Sequence, residues 1–228
     1  MNELEQEKTA SQAMRRDATY IWVTWLTPLL AGSSFCQWAA WFQANYTFEK
    51  PQSDFSEWRI KHGRLLNKRV RNLENQGYEV YIEDENKFTI TGQDGITKVA
   101  GKADIVAIKG NQVIVEDCKT GQKRDADVMQ VLTYMLLLAA PGGPSHCRGK
   151  KLEGRLIYGD EVIDVPSEML DRDFKDSFRE IVHLVSASSA PRKVPSFKEC
   201  QYCKVSSKYC PERITMQESE DLKEHDLF

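Results

Sequence analysis

The sequence predicts an α/β chain with a cysteine-rich C-terminal segment, on three observations. Helical and strand-like hydrophobic periods alternate along its length. A Gly110–Asn111 pair divides two β-branched runs, and three of the six cysteines cluster beyond Pro191. The 228 residues suit one domain with a small appendage. We expect that domain over residues 20–215, after a flexible N-terminus (1–19) and before a disordered acidic tail, Met216–Phe228. Hydrophobic residues at 41% and charged residues at 29% are a globular balance. A net charge of −3 excludes a histone-like wrapper, so any nucleic-acid surface is a local patch. Met1–Arg16 is polar and mixed in charge, unlike a signal peptide, so a cytoplasmic location is expected. In that compartment cysteines are metal ligands or buried thiols rather than disulfides.

Taken in order, Tyr20–Phe42 is the one stretch with the apolar content of a membrane span. Pro28, Gly32, Ser33 and Ser34 cut it short of the ~20 apolar residues a span needs, so no membrane is expected. Two helical segments fit better. The second would start at a Ser33 or Ser34 N-cap, with Phe35, Trp38, Ala39 and Phe42 on one face. A flexible linker near Pro51–Asp54 leads to a helix over Glu57–Gln76, with Trp58, Leu65, Leu66, Val70 and Leu73 apolar and Gly77 as C-cap. Its Arg59, Lys61, Arg64, Lys68, Arg69 and Arg71, uninterrupted by acids, are either a solvated face or a phosphate-facing stripe. Strand-like runs follow: Tyr78–Glu83, a polar hairpin around Asn86–Asp94, Val99–Ile108 and Val113–Cys118. A buried helix Val128–Ala140 ends at Pro141-Gly142-Gly143. A strand pair, Leu152–Tyr158 and Val162–Val165, turns at Gly159–Asp160, and Ser167–Ser186 reads as helix before an irregular end.

The Gly110–Asn111 hairpin concentrates chemistry. If those two residues form the loop, Lys109 faces Gln112 and Asp104 stands opposite Asp117, with Cβ atoms about 4.5–5.5 Å apart. Alternation puts Lys119 on the Asp117 face. Opposed like charges are destabilising, so one carboxyl takes a proton or a cation lies between them. Mg²⁺ and Mn²⁺ suit such oxygen ligands, and a lysine beside a metal-bound water can orient it, help deprotonate it or offset transition-state charge. Exposed acids with Lys119 as a surface partner are the bland alternative, and a one-residue register slip would separate the pair.

Asp117-Cys118-Lys119-Thr120-Gly121 resembles the Asp-Tyr-Lys-Thr-Gly signature of RecB-type nucleases in the PD-(D/E)XK superfamily. Gly101-x-x-Asp104 resembles its preceding metal-ligand motif, and Gln130-x-x-x-Tyr134 its third, both residues on one helical face. Cys200-x-x-Cys203, Cys210 and a distant Cys36 resemble the iron–sulfur staple of CRISPR-associated RecB-like nucleases and their helicase-linked relatives. Thiolates suit soft metals, and a [4Fe-4S] cluster is favoured over Zn²⁺ because only one Cys-x-x-Cys knuckle is present. Cys147 reads as a surface thiol and Cys118 as core.

The resemblance implies a restriction-endonuclease-like core, a central mixed β-sheet flanked by helices, capped by a helical N-terminus (20–50) and a cysteine-rich metal-cluster segment (191–215). It implies hydrolysis of single-stranded DNA or DNA ends with Mg²⁺ or Mn²⁺ on Asp104 and Asp117, within a DNA-processing complex that can include a protein partner. Lys119 would position the water, Gln130 and Tyr134 would orient that lysine or contact a phosphate, and Arg64, Lys68, Lys123 and Arg124 would contact the backbone. Many members carry a metal-facing histidine on the first core helix; Gly63-x-x-x-Asn67 has asparagine there, with His62 before the glycine. His62 and Asn67 lie about 140° apart on a helix, so both cannot face the metal. The expectation is a solvent-facing His62. Glu116, on the face opposite Asp117, is expected to be structural.

Overall fold

A computed structural model describes residues 12–51 and 54–215. The expected acidic tail, the first eleven residues of the expected flexible N-terminus, and positions 52–53 of the expected linker lie outside the described residues.

Strand β1 (Met14–Arg15) is followed by β2 (Tyr20–Trp22), α1 (Val23–Leu30), α2 (Gln37–Asn45) and β3 (Tyr46–Thr47). The long helix α3 (Ser56–Asn75) leads to β4 (Glu79–Ile82), a 3-10 turn (Glu83–Asn86), β5 (Lys87–Thr91), β6 (Lys98–Lys102), β7 (Ile105–Lys109) and β8 (Gln112–Lys119). Helix α4 (Asp125–Leu138), β9 (Glu153–Tyr158), β10 (Glu161–Val165), a 3-10 turn (Ser167–Met169), α5 (Arg172–Ser186) and the short α6 (Phe197–Cys200) complete it.

The central sheet runs β10-β9-β8-β7-β4, parallel between β8 and β9 and antiparallel elsewhere, so it is mixed. Helices cover both faces. Leu66 and Leu73 of α3 pack on Ile105, Ala107, Cys118 and Ile157, while Val131, Leu132, Met135 and Leu138 of α4 pack on Val106, Val113, Val115 and Leu156. Alternation thus sorts odd and even residues of β7 between two cores, each large aliphatic side chain adding about 1.5–3 kcal/mol of burial. Gly154 on β9 lets α4 sit close, since a Cβ there would strike Val131 and come within 2.6 Å of Met135 Sδ.

Several expectations change. Val99–Ile108 is two strands: the chain bends at Ala103–Asp104 and passes from a three-stranded sheet (β2-β6-β5) to the central one. The expected polar hairpin is present with its loop shifted: after a 3-10 turn, β5 alternates Phe88 inward with Lys87 and Thr89 outward and pairs antiparallel with β6 across residues 92–97. Helix α1 continues through Pro28, and α2 starts at Cys36 rather than at a serine, leaving Phe35 68% exposed. Its first amides are satisfied from far away: Glu199 accepts from Phe35 N (2.8 Å) and Cys36 N (3.1 Å). The expected helix from Ser167 begins at Arg172, with Asp171 accepting from Phe174 N. Cys147 is buried in the main core rather than at the surface, and burial pushes its thiol up to about 11. Met14–Arg15, within the expected flexible N-terminus, pairs antiparallel with Tyr46–Thr47.

Candidate active site

The β7–β8 hairpin has the register its Gly110–Asn111 loop predicts: Lys109 pairs with Gln112 and Ile105 with Glu116. Asp104 is the next residue outward, at the bend, and faces the end of β8. Its Oδ2 accepts from Cys118 N at 2.7 Å and lies 3.1 Å from His62 Nε2. Asp117 is 2% exposed on the α4 side. Lys119 Nζ stands 2.6 Å from Asp117 Oδ2, 2.9 Å from Gln130 Oε1 and 3.6 Å from Asp127 Oδ1. Gln130 in turn donates to Asp117 Oδ1 and to the Tyr134 hydroxyl, each at 3.1 Å. One glutamine therefore ties the lysine, a carboxylate and the tyrosine into a fixed frame, as the i, i+4 spacing on α4 allows. Gly101 leaves room for that tyrosine; a Cβ would meet the Tyr134 ring at 2.9 Å and Phe88 at 2.6 Å.

The electrostatics follow from burial. Desolvation, opposed by Lys119 and reinforced by Asp104, pushes the Asp117 carboxyl up to about 7. Burial alone would discharge Lys119, but Asp117, Asp127 and Asp104 outweigh it and hold the ammonium charged. Lys119 is thus a donor at neutral pH rather than a base. The Asp104 hydrogen bond raises His62, against the effect of its burial.

The expectation of a solvent-facing His62 is overturned: the residue is 8% exposed and turned to Asp104, while Asn67 is exposed on the other side of α3. The angular argument was right that only one of them faces the carboxylates; the bend at Asp104 brings the carboxylate to His62. Two members of the cluster escaped the sequence. Asp127, 2% exposed, caps the start of α4 through Arg124 N (3.2 Å) and accepts from Tyr158 OH (2.7 Å). Tyr158 sits beside Lys119 in the parallel β8–β9 register. An acid in the first turn of a helix was the available signal for Asp127; Tyr158 had none.

Glu116 lies on the opposite face, fully buried, gripped by Arg69 through two bonds of 2.5 and 2.6 Å and approached by Arg155 at 3.5 Å. Of the expected backbone contacts, Lys68 pairs with Asp160, Lys123 with Glu161 (2.5 Å) and Arg124 with Asp127 (3.5 Å), while Arg64 is exposed. The basic stripe is therefore partly spent on ion pairs, and Arg69 belongs to the interior.

Among the described residues no three His, Cys, Asp or Glu side chains converge as a ready-made metal cage. The carboxylate pair nonetheless suits a hard divalent ion. Asp117 Oδ2 is buried with Lys119 Nζ at 2.6 Å, and such ions are commonly held by one or two carboxylates with waters completing the shell. Cys36, Cys200, Cys203 and Cys210, all free thiols, line one cavity of about 690 Å³. Thiols are the donors a soft metal takes, though among the described residues these four do not converge as a metal site.

The model of the PD-(D/E)XK nuclease superfamily matches residues 12–211. The chain belongs to that superfamily, whose members are generally metal-dependent nucleases that typically use Mg²⁺ or Mn²⁺. No curated protein matches. Among solved structures, one described as "Crystal structure of SSO0001" is similar, at 20% identity and a TM-score of 0.48, over 89% of this chain and 90% of that one. Among the described residues no helix is long and apolar enough to cross a membrane.

Proposed function

We propose that this chain is a cytoplasmic DNA nuclease of the RecB-like type that hydrolyses phosphodiester bonds with Mg²⁺ or Mn²⁺, acting as an exonuclease on single strands or DNA ends. The observation that carries this reading is the Lys119 ammonium held between the buried Asp117 carboxylate and Gln130. Asp104 and Asp117 would hold the ion, and Asp104 is itself steadied by Cys118 N and His62. The ion would supply Lewis-acid stabilisation at the scissile phosphate. Lys119 orients the attacking water and meets charge developing on the phosphate. Gln130 aims that lysine, and Tyr134 and Asp127 fix Gln130 and Lys119 in turn. Arg64, Lys68, Lys123 and Arg124 are proposed backbone contacts; the three that are paired would exchange carboxylates for phosphates.

The four cavity-lining cysteines are proposed to hold a [4Fe-4S] cluster, with Zn²⁺ as the alternative, clamping the N-terminal segment to the C-terminal one. The test is cleavage of end-labelled single- and double-stranded DNA by anaerobically purified protein, with Mn²⁺ and with chelator. The expected result is metal-dependent cutting that Asp117→Ala abolishes. If wild-type protein with its cluster intact binds DNA and never cuts, the chain is instead an idle partner awaiting an activating subunit.

A further inference from the structure

Trp58 has no part in the chemistry above, yet it is built against it. It lies in the first turn of α3, one turn before His62, and stacks on the His62 ring with centroids 4.9 Å apart and planes at 23°. His62 Nε2 is 3.1 Å from Asp104 Oδ2, so the indole is one residue removed from the carboxylate pair. The helical pattern marks Trp58 as core, but 51% of it is exposed. Phe55, immediately before α3, is 46% exposed, and Lys204 Nζ stands 5.4 Å from its ring centroid. Covering His62 would need only the indole's inner face. Leaving a large aromatic open three residues after a second one, with a cation on the second, suits a ligand that has flat faces and negative charge together.

We propose that Trp58, with Phe55 three residues before it, is a stacking platform for an unpaired DNA base next to the scissile phosphate, with Lys204 meeting a backbone phosphate of the same strand. The inference rests on the nuclease reading and narrows its substrate to strands whose bases are unpaired at that nucleotide. A base inside a duplex is stacked on its neighbours and has no free face to give; a single strand or frayed end does. Stacking of this kind tolerates every base, because each has a π-face.

The experiment scans one abasic (tetrahydrofuran) nucleotide through a single-stranded DNA, using the full-length, anaerobically purified protein. Binding is read by anisotropy with Ca²⁺ and cleavage with Mn²⁺, for wild type, Trp58→Ala and Trp58→Phe. Trp58→Ala is expected to weaken binding and raise KM about 5- to 100-fold, with Trp58→Phe recovering most of the loss. At one position the abasic nucleotide should cost wild type a similar factor and cost Trp58→Ala nothing further. If Trp58→Ala and wild type respond identically to the abasic residue at every position, the platform does not exist and Trp58 only braces His62. The binding arm decides this even where nothing is cut, so a failure of the nuclease reading and a failure of this one look different.

Discussion

Lys119 shows how a site can be read from a few letters. Its place on the Asp117 face follows from strand alternation, a local rule, and the hairpin loop set the register of Asp104 and Asp117, whereas Gln130 and Tyr134 were singled out only by the resemblance to a nuclease motif. His62 was not legible, because its approach to Asp104 depends on a bend between two sheets that no local rule specifies. Tyr158 was hidden because it comes beside Lys119 only through the parallel β8–β9 pairing, and Asp127 because it meets Lys119 only where α4 packs on the sheet. At this scale the metal-free protein has a pH signature. Burial raises Asp117 to about 7, and the Asp104 contact raises His62, so each group binds its proton more tightly folded than unfolded. The stability this contributes is present at low pH and is lost as pH rises, for Asp117 from about 4 to about 7. Chelator-treated protein should therefore lose melting temperature over that range relative to Asp117→Asn. A parallel trend in the two proteins would show that Asp117 is not so perturbed.

At the scale of elements, α3 is fastened to the sheet by both apolar and ionic contacts. Leu66 and Leu73 supply the apolar seam, and Arg69 on buried Glu116 locks the helix about two turns beyond His62. Glu116→Ala would leave Arg69 facing an empty interior and is expected to cost about 3–5 kcal/mol, read as a shift in the urea midpoint. A loss under 1 kcal/mol would show that the pair is spectator to the packing. Gly154→Val, which drives a side chain into Val131 and Met135, is expected to cost about 1–3 kcal/mol or more. Far-UV and urea unfolding would check it, a wild-type midpoint being the contrary result. The elements with strong periodicity were legible: α3, α4 and the β9–β10 pair fall within a few residues of expectation. The β6–β7 break was not, because the passage from one sheet to the other at Ala103–Asp104 interrupts an otherwise continuous strand-like run.

Over the whole molecule, the two ends of the described chain meet. Trp38, Phe42, Tyr46, Phe48 and Tyr209 form an aromatic stack across the junction, with centroid separations of 4.8 to 6.0 Å. Glu199 caps the start of α2, and Trp41 Nε1 donates to Ala187 O at 2.8 Å. The sequence pointed to this closure only through cysteine spacing; the aromatic and carboxylate contacts depend on tertiary placement and left no pattern. Part of the closure is thus independent of any metal. Glu199→Ala should lower stability by about 1–3 kcal/mol even in metal-free protein, because two amides at the α2 start lose their acceptor. A melting temperature that changes only in protein loaded with the proposed cluster would contradict that.

The central claim is that a charged lysine beside two carboxylates performs the hydrolysis, and single-turnover cleavage of single-stranded DNA by Lys119→Met tests it most directly. The account predicts unchanged folding and DNA binding, with cleavage slowed about 10²- to 10³-fold in Mn²⁺. Cleavage by Lys119→Met at the wild-type rate would contradict it.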